Sequence, residues 1–170
     1  MRSTFVRTKA VLEDCVTHIK EQNLSGTPIE SYLVEHILII FGAEVQNEIY
    51  KSIEQYASTL ADKKLEYFVK VACQRLFRRP KKSEISGLLG LFGELTQKKF
   101  NSLIDDSQVT YYSVAVSARH DVAHKYGSKM TIGDFMKALN SADNIIQAVD
   151  VALQCRENIE IISEEIPFDQ

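Results

Sequence analysis

The sequence predicts an all-α protein, an up-and-down bundle of about five helices forming one domain over residues 1–170. Three observations lead there. Only 7 Gly and 3 Pro interrupt 170 residues, so the chain has few breakers. Apolar residues recur at helical spacing through most of its length. That length suits a single hydrophobic core, and 45% hydrophobic with 25% charged residues is ordinary globular composition.

The first helix is expected from Phe5 to about Gln22, where Val11, Cys15, Val16 and Ile19 share a face before the turn residues Asn23-Leu-Ser-Gly26. Thr27-Pro28-Ile29-Glu30 then supplies a capping hydroxyl, a proline pre-set for the first helical position and a carboxylate able to reach back. Helix two should run from 28 to about 60. Its core stripe is read as Ile29, Leu33, Ile37, Phe41, Val45, Ile49 and Ile53, widened by Leu38, Ile40, Tyr56 and Leu60. His36 on that stripe and His18 on helix one are expected to be hydrogen-bonded core or boundary residues.

Asp62 caps a third helix that must stop before Pro80. Ser83 should cap a short amphipathic piece, Ile85 to Leu95, with another short turn near Phe100 to Ile104. Helix four is expected from about Ser107 to about His124; Tyr111, Tyr112, Val114 and Val116 also alternate like a short strand. Thr131 and Asp134 start the last helix, which extends as far as Ile162 before Pro167.

The formal net charge of −3 means that only a local basic patch could hold a polyanion. Arg75, Arg78, Arg79, Lys81 and Lys82 form such a cluster with no acid between them. Their structural reading is a solvated helix end complementing the dipole; their functional reading is a guide for an RNA backbone. By contrast, Glu157, Glu160, Glu164, Glu165 and Asp169 make the C-terminal end acidic, with a tail of about 163–170. Cys15, Cys73 and Cys155 lie too far apart for a zinc knuckle or disulfide framework, which fits a reducing cytoplasm. No signal or membrane span is expected.

The chemistry concentrates in Ala118-Arg119-His120-Asp121-Val122-Ala123-His124-Lys125-Tyr126-Gly127. Arg119 offers a planar fork for phosphate, while His124 exchanges protons near neutral pH, with His120 one turn away on the same helical face. RNA scission needs a base for the 2'-hydroxyl, an acid for the departing 5'-oxygen and a cation for the developing charge. The nucleophile already belongs to the substrate, so no metal or other cofactor is needed. Arg119 and His124 stand about 140° apart around an ideal helix and about 7.5 Å along it. One copy therefore converges them poorly, which favours two motifs meeting across a dimer. His120 and His124 also suit a metal pair, although no Glu completes a His-Glu-x-x-His pattern. Tyr126 suits either stacking on a base or packing in the bundle.

Arg-x4-His ending in Ala-His resembles the HEPN superfamily signature. With Ala43-Glu44 on a long second helix, the basic Pro-containing loop and Ile85-Ser-Gly-Leu-Leu-Gly-Leu-Phe-Gly93, the chain is similar to the RiboL-PSP type over roughly residues 30 to 150. The resemblance implies a metal-independent endoribonuclease that works as a homodimer with its motif helices facing, in a toxin or phage-defence setting. It also implies a possible cognate inhibitor or partner protein. Arg119 and His124 match the fixed motif residues. His120 stands where Asn or Asp is more usual, Asp121 supports, and Glu44 matches an acidic position that would orient Arg119 or a histidine. The alternative is a catalytically inactive HEPN domain that binds RNA or protein.

Overall fold

The computed structural model describes residues 4–124 and 130–155. Every regular element among them is a helix: α1 (Val6–Glu21), α2 (Pro28–Ala57), α3 (Lys63–Leu76), α4 (Lys82–Gly90), α5 (Glu94–Ser102), α6 (Asp106–His124) and α7 (Ile132–Leu153). The all-α expectation holds, with seven helices among the described residues where about five were expected. The difference lies in residues 82–102. Gly93, at φ 124°, breaks what would be one amphipathic piece into α4 and α5. Gln97 and Asn101 of α5 then donate to the carbonyl and hydroxyl of Ser86 on α4 and bind the two together. Tyr111 to Val116 is helical, not strand.

α2 is the centre of the bundle, packed against α1, α3, α6 and α7. Its buried face is Val34, Ile37, Leu38, Phe41, Gly42, Val45, Glu48, Ile49, Ser52 and Ile53. The stripe expected at strict four-residue steps departs from this at its start, where Ile29 is 46% exposed. From Ile37 through Phe41, Val45 and Ile49 to Ile53 the expected positions are all buried, and because a four-residue step overshoots a turn by about 40° the face needs Val34, Leu38, Gly42, Glu48 and Ser52 to fill it. The observed face mixes three- and four-residue steps. His36 and His18, expected in or near the core, are both exposed.

Phe41 is the hub of the core. Its ring meets Phe5 at 5.8 Å, Phe135 of α7 at 5.3 Å and Tyr112 of α6 at 6.5 Å between centroids, so one aromatic cluster locks four segments together. The helix ends follow local chemistry. Asp62 accepts from the amides of Lys64 and Leu65, and the Thr131 hydroxyl accepts from the Asp134 amide while donating to its carboxylate.

Two expected caps differ. The Thr27 hydroxyl donates backward to the Leu24 carbonyl, leaving Glu30 to accept from the Gly26 amide. α4 begins at Lys82, so Ser83 lies inside the helix and not at its cap. The final helix was expected to reach as far as Ile162 but ends at Leu153 with Gln154 as its C-cap, and residues beyond Cys155 lie outside the described residues. None of the described helices is long and apolar enough to cross a membrane.

Candidate functional site

Arg119 ends the inward seam of α6, formed by Tyr112, Ala115, Val116 and Arg119 at i, i+3, i+4 and i+7. The first three are buried and Arg119 is half-buried, at the rim between core and solvent. Its side chain crosses the α2 backbone at Gly42. A Cβ at residue 42 would lie 2.3 Å from Arg119 Cδ and 2.7 Å from its Nε, far inside contact distance. Glycine in the interior of a helix costs about 1 kcal/mol relative to alanine. Here it opens a notch that the guanidinium stem fills.

Two helical turns before Arg119 on the same seam stands Tyr112, about 10 Å along the axis. Its phenol is fully buried and donates to the carbonyl of Pro80, inside the basic loop. Burial pushes this phenol far above its ordinary pKa, so it remains a donor. From α2, the Tyr50 hydroxyl donates to the Phe77 carbonyl at 2.7 Å and accepts from Gln46 Nε2 at 2.8 Å. Gln46 and Gly42 are one turn apart on α2. The loop from Phe77 to Pro80 is thus pinned to both helices that frame Arg119.

The cations follow from that anchoring. Arg75, Arg78, Arg79 and Lys81 are exposed and Lys82 is half-buried. Among the described residues none of the five is paired with a carboxylate; Arg78 Nε donates to the Arg75 carbonyl at 3.4 Å. Arg75 and Arg78 sit where a helix dipole welcomes positive charge. Lys81 and Lys82 do not, because they occupy the N-cap and first position of α4, where the dipole is unfavourable to cations. Dipole complementarity therefore explains only part of the cluster.

Glu44 has a different set of partners. Its carboxylate accepts from the Arg7 amide at 3.1 Å and from the Thr8 amide and hydroxyl at 2.8 and 2.6 Å. It caps the first turn of α1 from a neighbouring helix, a position where a negative charge also meets the favourable end of the dipole. Among the described residues no ion pair joins it to Arg119. The structure thus lays Arg119 over α2 at Gly42, ties the basic loop to α6 and α2 through Tyr112 and Tyr50, and gives Glu44 to α1.

His120, Asp121 and His124 belong to the α6 backbone, but their side chains lie outside the described residues, as does Tyr126 altogether. Among the described residues no three His, Cys, Asp or Glu side chains gather as metal ligands. Cys15 and Cys73 are buried thiols whose pKa burial raises. Comparison with protein-family models, with curated proteins and with solved structures yields no match.

Sequence reasoning missed Gly42, Tyr112, Gln46 and Tyr50. Gly42 carried a signal, a lone glycine inside a long apolar helix, which points to close approach by another group. The tyrosines carried none, since a buried phenol and a surface one look alike in sequence.

Proposed function

We propose that the chain is a metal-independent endoribonuclease of HEPN type, cutting single-stranded or loop RNA by attack of the 2'-hydroxyl on the adjacent phosphorus. Arg119 stabilises the charge on the phosphoryl oxygens, His124 exchanges the proton, and His120 assists. Two protomers place their α6 motif segments face to face, so that one cleft takes residues from both chains. Products end in 2',3'-cyclic phosphate.

The observation that carries this reading is the position of Arg119. It is neither sealed in the core nor free in water, but laid over Gly42 on the same α6 seam whose Tyr112, two turns earlier, is bonded to the basic loop. A guanidinium restrained in this way loses less freedom when it grips a phosphate. Arg78, Arg79 and Lys81, which no carboxylate pairs among the described residues, supply a track for the neighbouring phosphates.

Incubation of the purified protein with total RNA, with and without EDTA, tests it. Cleavage should persist with chelator and vanish in Arg119→Ala and in His124→Ala while the helical circular dichroism is unchanged. Full activity in either variant defeats the assignment. A second reading, a non-cleaving RNA- or protein-binding module, is favoured by the exposed cations on the loop; it predicts retention of RNA in a gel with no cutting by the wild type.

A further inference from the structure

α3 is amphipathic, yet its apolar side is not the side that the bundle covers. Within this 14-residue helix only Cys73 is buried. Glu66 and Lys70 sit beside it, half-buried, on the inward face. Leu65, Phe68, Ala72 and Leu76 follow one another at i, i+3, i+7 and i+11, a stripe lying about 100° around the helix from that face. Leu65 is 47%, Phe68 65% and Leu76 63% exposed. Large apolar side chains lined up at this spacing are what a helix offers another helix.

Within α3 the charge beside the stripe is of one sign. Lys64 lies one turn before Phe68 and Arg75 one turn after Ala72, both exposed and on the same edge. The only carboxylate within α3, Glu66, faces the other way and is shared between Lys63 at 2.7 Å and Lys70 at 2.8 Å, which lowers its pKa to about 2. Nothing acidic from α3 itself therefore offsets Lys64 and Arg75.

We infer that this face of α3 is a docking site for an acidic amphipathic helix of a partner protein, whose apolar residues cover Leu65, Phe68 and Leu76 and whose carboxylates meet Lys64 and Arg75. Two other occupants fit less well. A second copy of α3 would press Lys64 and Arg75 against their own like charges. A single RNA strand would find one aromatic in the stripe, because Tyr67 and Phe68 diverge by about 100°, and the two leucines offer no stacking surface. The site shares Arg75 with the basic cluster but uses none of the residues proposed for cleavage, so it stands or falls separately from the nuclease reading.

A labelled synthetic helix of about five turns, with leucine at i, i+3, i+7 and i+11 and flanking glutamates, is the probe, followed by fluorescence anisotropy on the full chain. Binding should weaken by about tenfold or more when the leucines are dispersed at equal composition, and likewise in the Phe68→Ser, Leu76→Ser double variant. Lys64→Glu with Arg75→Glu should reverse the preference, rejecting the glutamate helix and accepting its lysine counterpart. These side chains are exposed, so the fold is unaffected and circular dichroism verifies it. The inference is overturned if the wild type fails to bind the probe or binds the dispersed peptide equally. It is also overturned if the substitutions leave binding unchanged, or if a single-stranded RNA oligonucleotide responds to Phe68→Ser and Leu76→Ser while the helix does not.

Discussion

Replacing Gly42 by alanine sets two opposed effects against each other, and Arg119 decides which prevails. In a helix interior Gly→Ala stabilises by about 1 kcal/mol through backbone entropy and helix propensity. The new methyl, however, would sit 2.3 Å from Arg119 Cδ, whereas carbon contacts settle near about 3.5–4.0 Å. The stem, a flexible side chain at the rim, must therefore move by more than an ångström and leave its rotamer, at a cost of about 0.5–1.5 kcal/mol. The net change in the wild-type background is thus within about 0.5 kcal/mol of zero. With Arg119→Ala already present the obstacle is gone, and Gly42→Ala should stabilise by about 1 kcal/mol. Urea denaturation of the four proteins of this cycle should give a coupling of about 0.5–1.5 kcal/mol. If Gly42→Ala has the same effect in both backgrounds, Arg119 does not occupy the notch, and the account of how it is positioned is wrong. In the nuclease assay Gly42→Ala should also lower cleavage, with no further loss when added to Arg119→Ala.

Three more outcomes are expected. Glu44→Ala, which strips the first turn of α1 of a carboxylate accepting three hydrogen bonds, should cost about 1–2 kcal/mol in denaturant titration; an unchanged midpoint would show that α1 needs no cap. Tyr112→Phe removes the donor to the Pro80 carbonyl and should cost about 1–3 kcal/mol. Because burial raises the Tyr112 pKa, its phenol favours the fold below about pH 10, the unfolded value, and that advantage is lost as pH climbs beyond it. The alkaline fall in stability should therefore be shallower in Tyr112→Phe than in the wild type, and identical slopes would refute the assignment. Arg79→Ala with Lys81→Ala should weaken RNA binding uniformly across sequences and flatten its dependence on salt, as measured by filter binding between low and moderate ionic strength; an unaltered salt slope would remove the loop from the RNA track.

Much of the bundle could be read from the chain because its signals are local. Asp62 and Thr131 accept from amides within a turn of themselves and Pro28 presets the backbone of the first helical position, and their helices begin where those residues place them. Side chains that reach across the fold were opaque. Glu44 reads as an acid expected to orient Arg119 or a histidine, but its described partners are the amides of Arg7 and Thr8, more than thirty residues away. Gly93 reads as one more glycine in a Leu-Gly-rich piece, yet its positive φ separates two helices. Arg119 stood out by its chemistry. That it rests on Gly42 depends on how closely α6 approaches α2, which periodicity does not encode.

With one buried side chain in fourteen residues, α3 has little to hold it once its contacts with α2 loosen. Its backbone amides should exchange with deuterium through partial openings that leave the Phe41 cluster intact, well before those of α2 and α7. Among the described helices a protease would cut there first, and a ligand that shields α3 would announce itself by slowing both.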